Sequence, residues 1–158
     1  MAEVVTEGDY KESSKKGFNK LAKYIFGENK TRENIGMTAP VFQESNNEKI
    51  SMTAPVFQEK SGKGWVMKFT MPEKYTLENL PEPLDSEIKI KILGSKKVAV
   101  IIYSGILTGE KIEKNTIALR EWMNKNSYEE ISPPQSAGYD PPWTIPFLRR
   151  NEIQIETK

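Results

Sequence analysis

Residues 37–44 have the sequence Met-Thr-Ala-Pro-Val-Phe-Gln-Glu, and residues 52–59 repeat the same eight residues. The seven residues between the copies are polar and rich in asparagine, which tolerates the positive φ angles of a tight hairpin turn. Such a turn pairs the copies antiparallel and places Met, Ala and Val of both strands on one apolar face. Pro40 and Pro55 each remove a ladder donor, so each copy is predicted to be an edge strand, bulged or bent. This stretch predicts an antiparallel β-hairpin with one apolar face.

The length and charge of the chain limit what it can be. A chain of 158 residues has the length of one domain with a real core, so we predict a single domain over 1–158. Its net charge of +1 and the lack of a basic run argue against a nucleic-acid partner. The chain has no apolar run of membrane length and no signal-peptide core. We therefore predict a soluble, cytoplasmic protein with no membrane partner.

The sequence contains no cysteine and no histidine. The first absence excludes disulfides, a thiolate nucleophile and zinc–sulfur sites. The second excludes Ser-His-Asp and Cys-His catalysis and removes the commonest axial ligand of haem iron. We therefore predict no catalytic residues and no metal ligands.

Two segments have the periodicity of amphipathic helices. The first begins at a cap on Ser13 or Ser14, ends near Phe26 and is stopped by Gly27. Its apolar side chains recur three and four residues apart: Phe18, Leu21, Ala22 and Ile25. The second helix is predicted from about Thr108 to Lys125. Its apolar stripe is Ile112, Thr116, Leu119 and Met123, broadened by Ala118 and Trp122.

Short and β-branched residues predict a strand at 2–6. Alternating apolar and polar residues predict strands at 65–71, 88–92 and 152–157. The segment 98–103 is almost continuously apolar, which favours a central strand, and 133–146 is predicted to be a loop. Helical stripes thus alternate with antiparallel strand signals, and this predicts an α+β fold of two similar strand-helix-strand-strand units. Such a fold commonly leaves a cleft between helices and sheet, where a small ligand is expected.

Residues 138–153 have the sequence Gly-Tyr-Asp-Pro-Pro-Trp-Thr-Ile-Pro-Phe-Leu-Arg-Arg-Asn-Glu-Ile. Taken physically, Arg149 and Arg150 with Glu152 predict a charge network that seats the last strand. The whole stretch resembles the closing signature of the SOUL haem-binding protein family, which has Tyr-Asp-Pro-Pro-Trp-Thr, then Pro-Phe, then Arg-Arg-Asn-Glu. Further family motifs match in the same order at residues 23–29, 37–41, 52–56 and 65–72.

The resemblance implies a distorted antiparallel β-barrel of two pseudo-repeated units with two main helices. It also implies that haem or another tetrapyrrole binds in a shallow apolar site against the first helix. A helix-borne Met of the family falls on Ala22 here, its neighbouring Lys is Lys23, and an earlier basic position falls on Lys15. Family members usually carry a further strand ahead of Ala2, so the first sheet is expected to lack one edge strand.

Our main hypothesis is a non-enzymatic protein that binds a tetrapyrrole, a small hydrophobic ligand, without histidine ligation. Apolar contact would come from the stripe of the first helix, and lysines would pair with the ligand's carboxylates. The predicted site residues are Lys15, Phe18, Leu21, Ala22, Lys23 and Ile25. Candidate iron ligands among the remaining residue types are Met67, Met71 and Tyr24.

Two alternatives stay open at this stage. The first is a small-molecule effector-binding or scaffold domain that acts alone or through a protein partner, by analogy with effector-binding domains of bacterial regulators. The second is a hydrolase or lyase of small apolar substrates, which would need a desolvated carboxylate and a tyrosine. The residues available for that chemistry are Tyr103, Tyr139, Glu121 and Glu152.

Overall fold

The structure is a computed structural model that describes residues 1–31 and 47–158. Over these ranges the chain forms two α-helices, α1 (Tyr10–Ile25) and α2 (Gly109–Lys125). The strands are β1 (Ala2–Glu7), β2 (Asn29–Lys30), β3 (Thr53–Ser61), β4 (Gly64–Thr70), β5 (Glu82–Pro83), β6 (Lys89–Ile90), β7 (Val98–Tyr103), β8 (Gln135–Gly138) and β9 (Asn151–Glu156). A 3-10 turn covers Pro146–Leu148.

Seven of the strands form one antiparallel sheet in the order β6-β1-β4-β3-β8-β9-β7, and β2 pairs with β5 apart from it. The first half, β1-α1-β3-β4, contributes its strands in the order β1-β4-β3. The second half, β7-α2-β8-β9, contributes its strands in the equivalent order β7-β9-β8. The halves meet where β3 pairs with β8, with Gln58 opposite Ser136. The predicted α+β class with two helices is therefore confirmed, and both halves have one strand order.

The described residues leave this sheet open, because β6 and β7 each pair on one side only. Closure into a distorted barrel is not among these pairings and stays a prediction. The prediction that 98–103 is a central strand is wrong, because β7 lies at an edge. Its residues Val100 and Ile102 point to the face opposite α2 and are exposed, so the apolar run there does not report burial on both faces.

Two further predictions differ from the structure. The segment predicted as a loop at 133–146 contains β8, whose sequence Gln-Ser-Ala-Gly has few of the residues that favour strands. The predicted strand at 88–92 is reduced to the short β6, which pairs with the outer side of β1.

The predicted hairpin between the two sequence repeats lies outside the described residues, because its first strand does. The second copy enters β3, which has β4 on one side and β8 on the other. The register of β3 against β4 shifts between Thr53 and Val56. The irregularity predicted from Pro55 is therefore confirmed.

The cap of helix α1 is Asp9, four residues before Ser13 and five before Ser14, the two predicted candidates. The Asp9 carboxylate accepts a hydrogen bond from the Glu12 backbone N–H at 2.8 Å, and this satisfies an unpaired donor of the first turn. Gly27 follows the helix with a φ of +123°, which confirms the predicted stop. Helix α2 starts where predicted, with Thr108 as its cap.

Each helix covers one of two apolar cores. The first core joins α1 to β1 and β4, and its largest fully buried side chains include Tyr24, Phe69 and Leu21. The second joins α2 to β7 and β9 through Leu119, Met123, Ala99, Ile153 and Ile155. Within the described ranges, no helix has the length and apolar character needed to cross a membrane.

Candidate ligand-binding groove

Both helices lie on the same face of the sheet and leave its middle uncovered. Met67, Gln58, Ser136 and Ile153 are opposite one another in turn across β4, β3, β8 and β9, so their side chains share one face. Helix α1 packs over Met67 and the α2 core includes Ile153. The space above β3 and β8 is therefore bounded by a helix on either side.

A cavity of about 460 Å³ occupies this space, and we call it the groove. Its volume is within the range of small-molecule sites, roughly 300–1,000 Å³. The floor is formed by Val56, Gln58, Met67, Ser136 and Gly138. The α1 wall is formed by Tyr10, Lys11, Ser14, Lys15, Phe18 and Asn19, and the facing wall by Leu107, Asp140, Pro142 and Arg149.

The groove continues into a second cavity of about 630 Å³ between the first turns of the two helices. Tyr10, Lys11, Ser14 and Leu107 line both cavities. The Tyr10 ring meets Trp65 edge to face at 5.1 Å. Burial raises the pKa of Tyr10, so its hydroxyl stays protonated and neutral at physiological pH.

Two of the predicted site residues, Lys15 and Phe18, come together at the groove. Phe18 is 38% exposed and meets Phe69 of the core edge to face at 5.5 Å. One side of its ring is thus supported by the core while part of it faces the cavity. Lys15 is exposed at the rim.

The other four predicted site residues do not line the groove. Leu21 and Ile25 are fully buried in the first core, and Ala22 is half-buried beside them. Lys23 is exposed, and its ammonium lies 3.4 Å from Glu28. A helix turns by about 100° per residue, so the stripe that packs on the sheet and the stripe that borders the groove are neighbouring but different.

The candidate iron ligands are placed apart. The Tyr24 hydroxyl donates to the Pro81 carbonyl at 2.7 Å inside the protein, and Met71 borders a different cavity. Met67 is on the groove floor but largely covered, with its sulfur 3.5 Å from where a Cβ on Gly17 would be. In the part of the chain that the structure describes, no cluster of three acidic side chains has the arrangement of a metal site.

The rim of the groove is positive. Among the described residues, no carboxylate lies within ion-pair distance of Lys11 or Lys15. Arg149 donates to the Thr144 carbonyl at 2.8 Å and also to the Pro142 carbonyl, so it holds the loop after β8 while keeping its charge. Asp140, the acidic residue of the lining, accepts from the Arg150 backbone N–H at 2.6 Å.

The predicted charge network involves Arg150 and not Arg149. Glu152 is 3% exposed and accepts hydrogen bonds from Tyr139 at 2.8 Å, Gln154 at 2.8 Å and Arg150 Nε at 2.9 Å. Burial by itself raises the pKa of Glu152, but the bonds from Gln154, Arg150 and Tyr139 together hold that pKa below its ordinary value. Because Ile153 faces the helices, Glu152 faces the other side of the sheet.

The residues named for a catalytic alternative are not gathered at the groove. Tyr139 and Glu152 are bonded on the far face, and Glu121 is exposed on α2. The Tyr103 hydroxyl is buried with no partner among the described residues, and burial raises its pKa to about 12.

Sequence reasoning missed several lining residues, above all Tyr10, Ser14 and Gln58. The first two precede Phe18 at intervals of four, which places all three on one helix face, but the helix was predicted to begin after Tyr10. Gln58 is part of the repeated octapeptide, and only the pairing of β3 with β8 brings it to the floor.

A family model described as SOUL heme-binding protein matches residues 1–156, nearly the whole chain. No curated protein matches the chain.

Proposed function

Because the chain belongs to the SOUL heme-binding protein family, we propose that it binds haem or another tetrapyrrole in the groove and catalyses no reaction. The observation that carries this proposal is the juxtaposition of apolar side chains in the groove with rim lysines that have no ion-pair partner among the described residues. A flat macrocycle with carboxylate substituents offers an apolar face to the groove and negative charges to the lysines. In this proposal, four of the six residues predicted from sequence contact the ligand, and the other two hold α1 in place.

The apolar part of the groove suits the face of a macrocycle. Phe18, Val56 and Leu107 supply apolar surface, and Gly138 adds no side chain to the floor. Burying about 300 Å² of apolar ligand surface at ~25 cal/mol per Å² contributes about 7 kcal/mol. This corresponds to a Kd of about 10 μM.

Lys15 is proposed to pair with a ligand carboxylate, with Lys11 beside it. Leu21 and Ile25 act indirectly, because they fix α1 on the sheet and so hold Phe18 at the cavity. Ala22 and Lys23 lie further along α1 and are proposed as contacts for a ligand that extends past Phe18.

The sequence has no histidine or cysteine, and we propose that the macrocycle rather than iron ligation provides the affinity. Haem, when bound, would supply an iron centre. The residues of the groove would bind and orient the ring and screen one of its faces from water. Iron-free protoporphyrin IX is then expected to bind about as tightly as haem.

The test is a hemin titration of the purified protein followed by absorbance, with a non-binding protein as a baseline. We expect a saturable one-to-one Soret shift with a Kd below about 10 μM, or about 7 kcal/mol. Lys15→Glu should weaken binding about tenfold, because it replaces an attraction by a repulsion. A linear response without saturation would contradict the proposal.

Lys114→Glu is the matched control. Lys114 is the sixth residue after the α2 cap, as Lys15 is after the α1 cap, but it does not line the groove. Its replacement should leave the affinity unchanged, and an equal loss in both variants would indicate a non-specific charge effect.

Other predictions from the sequence stay predictions. They are the closed barrel, the single domain over 1–158, the cytoplasmic location, the lack of nucleic-acid and membrane partners, and the role in binding a protein partner.

A further inference from the structure

The groove floor carries one side chain with unmet hydrogen-bonding capacity. Gln58 is 5% exposed, lines the groove, and its amide nitrogen has no hydrogen-bond partner among the described residues. Val56, Met67 and Gly138 have no polar side-chain group to offer. A buried amide donor without an acceptor is uncommon in proteins and destabilises the state that contains it.

The other polar groups of the floor are already used. Ser136 donates its hydroxyl to the Gln58 backbone carbonyl at 3.1 Å. The Ser14 hydroxyl oxygen lies 2.6 Å from the Tyr10 carbonyl and 2.9 Å from the Gln58 side-chain oxygen. Both serine hydroxyls are thus used as donors, and the Gln58 amide nitrogen has no acceptor within hydrogen-bond distance among the described residues.

The surroundings of Gln58 favour an anionic partner. Lys11, Lys15 and Arg149 line the same groove against one carboxylate, Asp140, so the charged groups of the lining are mostly positive. A ligand oxygen with negative charge is attracted by these groups and can accept from the amide.

Resting on the proposed function, we propose that Gln58 donates a hydrogen bond to a carboxylate of the bound tetrapyrrole. The groove is then expected to bind apolar macrocycles that carry carboxylates. It should bind such a macrocycle more tightly than the neutral ester of the same ring. Lys15 attracts carboxylates from the rim, whereas Gln58 recognises one from the floor.

The experiment compares two ligands and three proteins. Protoporphyrin IX and its dimethyl ester have the same ring, but the ester lacks the negative charges. Each is titrated into the wild type, Gln58→Met and Gln135→Met, and binding is followed by quenching of tryptophan fluorescence. Gln135 precedes Ser136 in β8, so its side chain is on the opposite face of the sheet from the groove. Gln135→Met therefore makes the same chemical change as Gln58→Met at a position outside the groove.

We expect the wild type to prefer the acid over the ester. In Gln58→Met, affinity for the acid should fall at least about tenfold, the usual effect of one hydrogen bond to a charged group, while affinity for the ester changes less than about twofold. Gln135→Met should behave as the wild type with both ligands. Gln58→Leu serves as a second apolar variant if the Met variant does not fold.

Three results would overturn the inference. Equal losses for acid and ester would mean that Gln58 only maintains the shape of the groove. An unchanged affinity for the acid would mean that Gln58 makes no contact with it. Failure of both ligands to saturate the wild type would refute the proposed function and this inference with it, whereas the first two results leave the proposed function standing.

Discussion

The two halves of the molecule share one strand order but position their helices differently. The eighth residue after each helix cap faces the sheet, and it is Gly17 in α1 and Thr116 in α2. A Cβ on Gly17 would lie 3.1 Å from the Met67 Cβ, so the glycine permits a close approach of α1 to β4. Thr116 fills the equivalent place with a buried side chain whose hydroxyl has no partner among the described residues.

The ninth residue after each cap shows that only one of the two helices contributes an apolar side chain to the groove. Phe18 in α1 lines the groove, whereas Ile117 in α2 is 52% exposed and lies outside it. The second half contributes Leu107 and the loop after β8 to the groove instead of its helix. A repeated topology therefore provides two similar supports, and individual side chains and loops decide which support carries the site.

The largest expected effect is on the close helix contact. Gly17→Leu should destabilise the fold by about 3 kcal/mol, because the space between α1 and β4 is too small for a side chain. The free energy of unfolding, measured by urea denaturation, tests this. A loss below about 1 kcal/mol would show that α1 can move away from the sheet at little cost.

Thr116→Val is the comparison in the second half. It keeps the branched shape and removes the unpartnered hydroxyl, so stability should stay the same or rise by up to about 1 kcal/mol. A clear loss of stability in the same urea experiment would show that the Thr116 hydroxyl has a hydrogen-bond partner.

The next effect concerns binding. Phe18→Asp should weaken tetrapyrrole binding about 30-fold, or about 2 kcal/mol, because it replaces an apolar contact by a charge that repels carboxylates. Ile117→Asp makes the same change at the equivalent position of α2 and should leave the affinity unaltered. Equal losses in the hemin titration would place the ligand outside the groove.

The smallest effect concerns the acid sensitivity of the second half. Glu152 has a pKa held below the ordinary value of 4.5 by its hydrogen-bond donors. A lowered folded-state pKa gives stability that is present above pH 4.5 and is lost as the pH falls through the folded pKa. Glu152→Gln should therefore be less stable than the wild type at pH 7, by about 1 kcal/mol, and the gap should narrow below pH 4.

Unfolding curves at pH 7, 5 and 3 test this expectation. Glu130, whose pKa is lowered by its bond from Arg120, is also in the second half, and Glu130→Gln should show a weaker form of the same trend. A gap for Glu152→Gln that stays constant from pH 7 to pH 3 would mean that its proton affinity is the same in the folded and unfolded states.

Local patterns located most elements but not their neighbours. Helix α2 and strands β1, β4, β7 and β9 lie close to their predicted ranges, because periodicity and caps are properties of adjacent residues. The position of β7 in the sheet was wrong and β8 was missed, because pairing depends on distant parts of the chain. The start of α1 was displaced because Ser13 and Ser14 have the chemistry of caps, while Asp9 is the residue that takes that role.

For the site, composition and local motifs limit the chemistry available. The chain has no histidine or cysteine, its first helix carries lysines and Phe18, and its motifs match one family. The tertiary structure decided which of those side chains meet. The sheet face buries Leu21 and Ile25, and the pairing of β3 with β8 brings Gln58 between the helices. The physical reason is that a residue's identity fixes what it can bond, whereas burial and proximity are set by packing among segments far apart in sequence.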